Sequence, residues 1–146
     1  MTKFILKRRT FDVSPYNHNV HVIFTTDVCR AAFKLKDELG EDITARVKDN
    51  MGAITTCSSG NSNVHVFLEK QPNIGTIVHE LYHAVDFILH DSGVKNNPEV
   101  NNETWAYHLG ELTRQVVKFY HQVNARKSAL DKRKKVCNTK KVNRQR

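Results

Sequence analysis

The residues best suited to chemistry form one short motif, His79-Glu80-Leu81-Tyr82-His83. In a helix with 3.6 residues per turn, positions four apart lie on the same face, so both imidazoles can reach a single metal ion. Glu80 is rotated by about 100° from His79, beside such an ion, where it can polarise a metal-bound water without occupying a coordination position. The motif therefore predicts a metal site with its own general base.

The segment around the motif has a helical pattern from Ile74 to about Ser92, with Asn73 as N-cap and Gly93 just past the end. The two histidines lie within about 40° of each other on the helix surface. The apolar positions of the segment fall on the opposite side: Ile77, Leu81, Ala84 and Ile88. This arrangement disfavours core histidines, but it fits either metal ligands or a solvated polar face.

A third ligand is needed, and Glu103 is the candidate, because catalytic zinc sites commonly combine two His with one carboxylate and a water. It lies on the next predicted helix, Glu99 to about Ala125, opposite the apolar face of that helix. Two antiparallel helices joined by a short loop would bring it to the histidines. The alternative is an ordinary exposed carboxylate favoured by the helix dipole. His90 lies about 10 Å beyond His83 along the helix and cannot share one ion with His79.

His79-Glu80-x-x-His83 followed by Asn102-Glu103 resembles the gluzincin metallopeptidases, in which the third zinc ligand is a Glu on the helix after the motif helix. The resemblance covers residues 64–120, and the size of the chain is similar to that of short phage-encoded zincins. It implies a zincin-like fold, with a small mixed β-sheet packed on an active-site helix and a following long helix. It further implies Zn²⁺ held by His79, His83 and Glu103, with Glu80 as the general base of peptide hydrolysis.

The resemblance also implies an edge strand that binds an extended peptide or protein substrate, and we assign this strand to Val64–Leu68. Thermolysin-like members carry an Asp four residues after the ligand Glu, where this chain has Tyr107. Asp86 or Glu111 is then left to orient a ligand histidine. Tyr107 can instead donate a hydrogen bond to a developing oxyanion, so it joins Glu80 as a candidate catalytic residue.

The remaining elements are predicted from local patterns. Residues 3–13 and 20–26 are rich in β-branched and aromatic side chains and predict a hairpin, and residues 53–57 and 64–69 predict two more short strands. Asp27 can cap a helix that runs to about Leu39. Strands and one helix followed by two long helices predict an α+β fold.

Charge divides the chain into two parts. The 146 residues carry a formal net charge of +8, yet residues 125–146 alone hold ten Lys or Arg and one Asp. Residues 1–124 are therefore nearly neutral and are interpreted as a single zincin-like metallopeptidase domain. Residues 125–146 are interpreted as a basic, flexible C-terminal tail.

The composition of the chain indicates the cellular compartment in which it is expected. No run approaches the ~18 apolar residues of a membrane helix, and the N-terminal segment lacks the ~7–15 apolar residues of a signal peptide. Three cysteines spaced far apart form no disulfide framework and indicate a reducing compartment. We therefore expect a cytoplasmic protein without membrane contact, in the host cytoplasm if it is phage-encoded.

Two other functions stay open alongside zinc-dependent peptide hydrolysis. In one, the basic tail makes weak phosphate contacts with nucleic acid and the zinc is structural. In the other, the chain is a catalytically weak zincin that acts as a protein-interaction module. No aromatic residue is interleaved in the tail, so base stacking is not indicated, and a solvated tail is the simplest interpretation of its charge. The sequence predicts neither cleavage specificity nor oligomeric state.

Overall fold

The computed structural model describes residues 6–36, 51–57, 62–94 and 102–142, with the side chains of the last helix described as far as residue 125. Four strands and three helices follow one another along the chain. They are β1 (Leu6–Val13), β2 (His18–Thr25), α1 (Val28–Lys34), β3 (Ala53–Cys57), β4 (Asn63–Glu69), α2 (Ile74–Asp91) and α3 (Asn102–Val142). The predicted α+β class is confirmed.

The four strands form one mixed sheet in the order β1-β2-β4-β3. β1 and β2 form the predicted antiparallel hairpin, with Thr10 opposite His21. β4 joins β2 in parallel, with Val22 opposite Val66, and β3 pairs with the other side of β4 in antiparallel orientation. The parallel pair is possible because β3 runs antiparallel to both strands and returns the chain to the end of the sheet where β2 began.

The assignment of the edge strand to Val64–Leu68 is wrong, since β4 is hydrogen-bonded on both sides. All five of these residues are buried, which is typical of an internal strand covered on both faces rather than of an edge. Within the described residues, β3 pairs with β4 alone and is one of the two edge strands, β1 being the other.

The register of β3 determines which of its main-chain groups are open. Gly52 lies opposite Glu69 and its carbonyl oxygen accepts from the Glu69 N–H at 2.7 Å. Hydrogen-bonded pairs alternate along an antiparallel ladder, so the main-chain groups of Ile54 and Thr56 also face β4. Those of Ala53 and Thr55 consequently face the open edge.

Both ends of α2 are defined by local hydrogen bonds. The Asn73 side chain caps the first turn by accepting from the Thr76 N–H at 2.7 Å. At the other end, Gly93 has φ of +76°, its N–H bonds the His90 carbonyl, and the Val94 N–H bonds the Leu89 carbonyl at 2.8 Å. This is a Schellman motif, in which the left-handed residue favours glycine. The predicted helix bounds are confirmed within one residue.

Helices cover both faces of the sheet. On one face, α2 and α3 bury the apolar stripe predicted for α2 against β2 and β4, where complete burial of each large side chain contributes roughly 1.5–3 kcal/mol. The central residues of this core are Val20, Val22, Phe24, Val64, Val66, Leu68, Ile77, Leu81, Ile88, Leu89 and Val116. On the other face, α1 packs over a smaller core of Ile23, Val28, Ala31, Ala32, Leu35 and Phe67.

Two helix bounds differ from the prediction. α1 ends at Lys34, whereas its predicted end at Leu39 lies outside the described residues. The predicted start of α3 at Glu99 also lies outside them. Its predicted end at Ala125 is wrong, because the helical backbone continues to Val142. Residues 126–142 contain neither Gly nor Pro and are rich in Lys and Arg, which are good helix formers, although they carry little of the apolar stripe that marks a packed helix.

Candidate metal centre and cleft

The two motif histidines lie together on the exposed side of α2. The Nε2 atoms of His79 and His83 are 3.1 Å apart, and the two rings are nearly perpendicular, at 87°. Both side chains are exposed, while the apolar face of the same helix is buried in the core. The predicted separation of polar ligands from apolar stripe is therefore present in the structure.

The distance between the two nitrogen atoms suits a shared metal ion. Two Zn–N bonds of about 2.05 Å at a tetrahedral angle place their nitrogens about 3.3 Å apart, close to the separation found here. In the metal-free protein the same pair can share one proton in an N–H···N hydrogen bond, whose direction depends on the tautomers. As a donor set, two convergent imidazoles fit Zn²⁺ and supply half of a four-coordinate site.

Glu80 lies on the same helix but is directed into the protein. It is only 7% exposed, and its Oε2 accepts a hydrogen bond from the Thr55 hydroxyl at 2.7 Å. The same hydroxyl lies 2.9 Å from the Glu80 carbonyl oxygen. A buried carboxylate must be hydrogen-bonded to be stable, and here its partner comes from the edge strand β3. Thr55 thus ties the predicted general base to the strand across the cleft.

A cleft of about 350 Å³ separates β3 from α2. The five residues of β3 form one wall, and α2 forms the other with Glu80, His83 and Phe87. The cleft therefore holds the predicted base and one predicted ligand beside the open edge of the sheet.

Glu103 is exposed in the first turn of α3. In the part of the chain that the structure describes, no group of three or more His, Cys, Asp or Glu side chains is placed to hold a metal ion. The structure thus brings His79 and His83 together but does not bring Glu103 to them. Its role as third ligand stays a prediction.

The other proposed helpers lie away from the histidines or are engaged elsewhere. Tyr107 is 69% exposed and its ring contacts His108 at 5.3 Å between centroids. Glu111 is held along its own helix by Arg114, at 2.6 and 2.8 Å, and by Gln115 at 2.8 Å. These hydrogen bonds lower the pKa of Glu111 to about 2. Asp86 is half-buried on α2.

Sequence reasoning missed two side chains beside the site. The Thr55 contact depends on how β3 docks on α2, which no local pattern encodes. Tyr82 is one of the unspecified positions of the motif, and its ring lies 6.0 Å from the rings of both His83 and Trp105. It is 44% exposed, so this phenol is accessible to solvent beside His83. The sequence signal for Tyr82 was its position between the two histidines of the motif.

No family model, curated protein or solved structure matches this chain. Among the described residues, none of the helices has the length and apolar character needed to cross a membrane. The function must therefore be argued from the geometry of the site.

Proposed function

We propose that this protein is a zinc-dependent metallopeptidase of the gluzincin type, with a zincin-like arrangement of sheet and helices. The observation that supports it best is the convergence of the His79 and His83 Nε2 atoms to 3.1 Å on the helix that also presents Glu80 to the cleft. A solvated polar face would explain the exposed histidines, but it gives no reason for a buried carboxylate one residue after the first of them.

His79, His83 and Glu103 would hold Zn²⁺, which would supply a water of lowered pKa and a Lewis acid for the scissile carbonyl. Glu80 takes a proton from the attacking water on its free carboxylate oxygen and later passes it to the leaving amine. Thr55 holds the other oxygen, so the carboxylate keeps one orientation during both transfers.

The peptide substrate is expected on β3 rather than on β4. The outward main-chain groups of Ala53 and Thr55 can pair with an extended segment by β-augmentation. This strand forms one wall of the cleft, and Glu80 lies against it, so a paired peptide places an amide bond near the base. Peptides fit this mode because the hydrogen bonds are made to main chain.

Metal content of the purified full-length chain, measured by elemental analysis, tests the site. One zinc per chain is expected in the wild type, with loss in His79→Ala and His83→Ala and weakened binding in Glu103→Ala. His90→Ala is the matched control, since His90 is exposed on the same helix and should leave zinc binding unchanged. Zinc retained in His83→Ala would refute the ligand assignment.

Catalysis is tested separately with a library of internally quenched peptides. Cleavage by the wild type that disappears in Glu80→Gln, with zinc content preserved, supports the peptidase. Stoichiometric zinc with no cleavage of any peptide overturns the proposed hydrolysis and leaves the interaction-module alternative.

A further inference from the structure

The C-terminal part of α3, residues 125–142, is here named the basic arm. It contains eight Lys or Arg and one Asp, and its backbone is helical throughout. The function proposed above makes no use of it. At 1.5 Å per residue, the arm extends the helix by about 26 Å.

The arm starts where the anchoring of α3 to the sheet ends. Val116 is fully buried, and Phe119, Tyr120 and Val123 pack against the same core. Arg9 of β1 strengthens this anchor, because its Nη1 donates to Gln122 Oε1 at 3.3 Å and its guanidinium lies over the Phe119 ring. The direction of the helix is thus fixed by the sheet before the arm begins.

The surface that leads to the arm is also basic. A shallow groove runs along α3 just before it, with Lys118, His121 and Gln122 exposed along its length. Arg114 lies at its far end, paired with Glu111. Lys118 therefore adds a positive charge to the domain surface just before the arm.

The basic positions are spread around the whole helix. At 100° per residue, the eight Lys and Arg positions leave no sector wider than about 80° free of positive charge. A helix that lies on a membrane needs one apolar face at least ~100° wide. Apolar residues in the arm are few and scattered, so its pattern disfavours a planar anionic surface.

We propose that the basic arm binds double-stranded DNA by lying in the major groove. That groove is about 12 Å wide and admits an α-helix of about 10–12 Å diameter, with phosphates on both sides of it. Cations on all sides of the helix match this environment. Duplex RNA has a deep, narrow major groove, and single strands are usually bound by aromatic stacking, which the arm cannot supply because it has no aromatic residue.

Fluorescence anisotropy of a labelled 20-base-pair duplex of random sequence, titrated with the full chain at several salt concentrations, tests the proposal. Each Lys–phosphate contact contributes about 0.9 to the slope of log K against log salt. The double variant Lys134→Gln/Lys135→Gln should lower that slope by about 1.8 and weaken binding about 60-fold at 0.1 M salt. Lys34→Gln/Lys36→Gln, which removes two charges at and just past the C-terminal end of α1, is the matched control and should bind like the wild type.

Ala129→Pro separates a groove-bound helix from a merely charged tail, because it interrupts the arm without changing any charge. At least fivefold weaker duplex binding is expected, with circular dichroism to show that the domain remains folded. Wild-type binding by Ala129→Pro would overturn the groove model.

The competing polyanions are tested with the same proteins. Preference for vesicles of phosphatidylcholine and phosphatidylserine, for duplex RNA or for single-stranded DNA over duplex DNA would also refute the proposal. His79→Ala should bind DNA like the wild type, so that loss of the metal centre and failure of the arm are distinguishable.

Discussion

At the scale of single residues, Thr55 connects the two walls of the cleft. Its hydroxyl has one proton but two acceptors from Glu80, the carboxylate Oε2 at 2.7 Å and the carbonyl oxygen at 2.9 Å. Its main-chain groups face the open edge of the sheet. Any peptide paired with β3 is therefore positioned relative to Glu80 through a single residue.

Replacing Thr55 with Val removes this hydrogen bond and keeps the β-branched shape of the side chain. Because a hydrogen bond to a charged group is worth about 1.5–3 kcal/mol, kcat of the proposed peptidase should fall by about 10- to 100-fold. Zinc content and the peptide KM should change little, since neither ligand nor edge main chain is altered.

Thr55→Ser retains the hydroxyl and should restore most of the turnover. Parallel loss of zinc and of the free energy of unfolding in Thr55→Val would instead assign Thr55 a structural role. The comparison of Ser with Val thus distinguishes positioning of the base from support of the fold.

The part of the site that could be predicted from the sequence is the part that lies within one helix. The period of the helix alone brings His79 and His83 to one helix face and sets Glu80 about 100° away, so their sequence spacing was sufficient. Glu103 lies on another helix, and its predicted meeting with the histidines depends on tertiary packing. Thr55 was missed for the same reason, since its partner is 25 residues away in sequence.

At the scale of elements, the order of the strands was the least predictable feature. The lengths of β3 and β4 were predicted closely, but pairing order depends on which of these two strands packs beside β2. The continuous burial of Val64–Leu68 is the signal that favours an internal strand. The predicted end of helix α3 came too early because the apolar stripe ends near Ala125, whereas residues that favour a helix continue beyond it.

The open edge of β3 can be tested with proline. Ala53→Pro removes a main-chain N–H that faces away from β4, so the sheet should tolerate it. A peptide would lose one hydrogen bond of about 1 kcal/mol, and its KM should rise about fivefold with kcat nearly unchanged.

Ile54→Pro is the contrasting variant, because the N–H of Ile54 faces β4. It should lower the free energy of unfolding, measured by urea denaturation, well below that of Ala53→Pro. Equal destabilisation by the two prolines would contradict the register from which the open edge was derived.

At the scale of the whole molecule, His108 lies where α3 meets the β1–β2 turn. Its ring contacts Tyr16 at 5.1 Å between centroids, and burial lowers the pKa of His108 below its ordinary value. The unfolded chain therefore binds a proton at His108 more readily than the folded protein does. Stability rises with pH wherever the unfolded state binds more protons, so protonation here opposes folding.

The free energy of unfolding should consequently fall as pH drops below the ordinary histidine pKa of about 6.5. His108→Gln cannot titrate, and the wild type should lose more stability than this variant between about pH 7.5 and 5. Urea denaturation across that range measures both. Parallel profiles would mean that His108 is not the group responsible.

The parallel pairing of β2 with β4 has a consequence for the order of folding. Its partners, such as Val22 and Val66, lie 44 residues apart, whereas the β1–β2 hairpin and α2 are built from local contacts. Local structure forms in microseconds, and long-range strand pairing is slower because a large loop must close first. We expect His79 and His83 to be paired on α2 before β3 docks and Thr55 contacts Glu80. The two histidines of the proposed zinc site would then converge before the strand that holds Glu80 is docked.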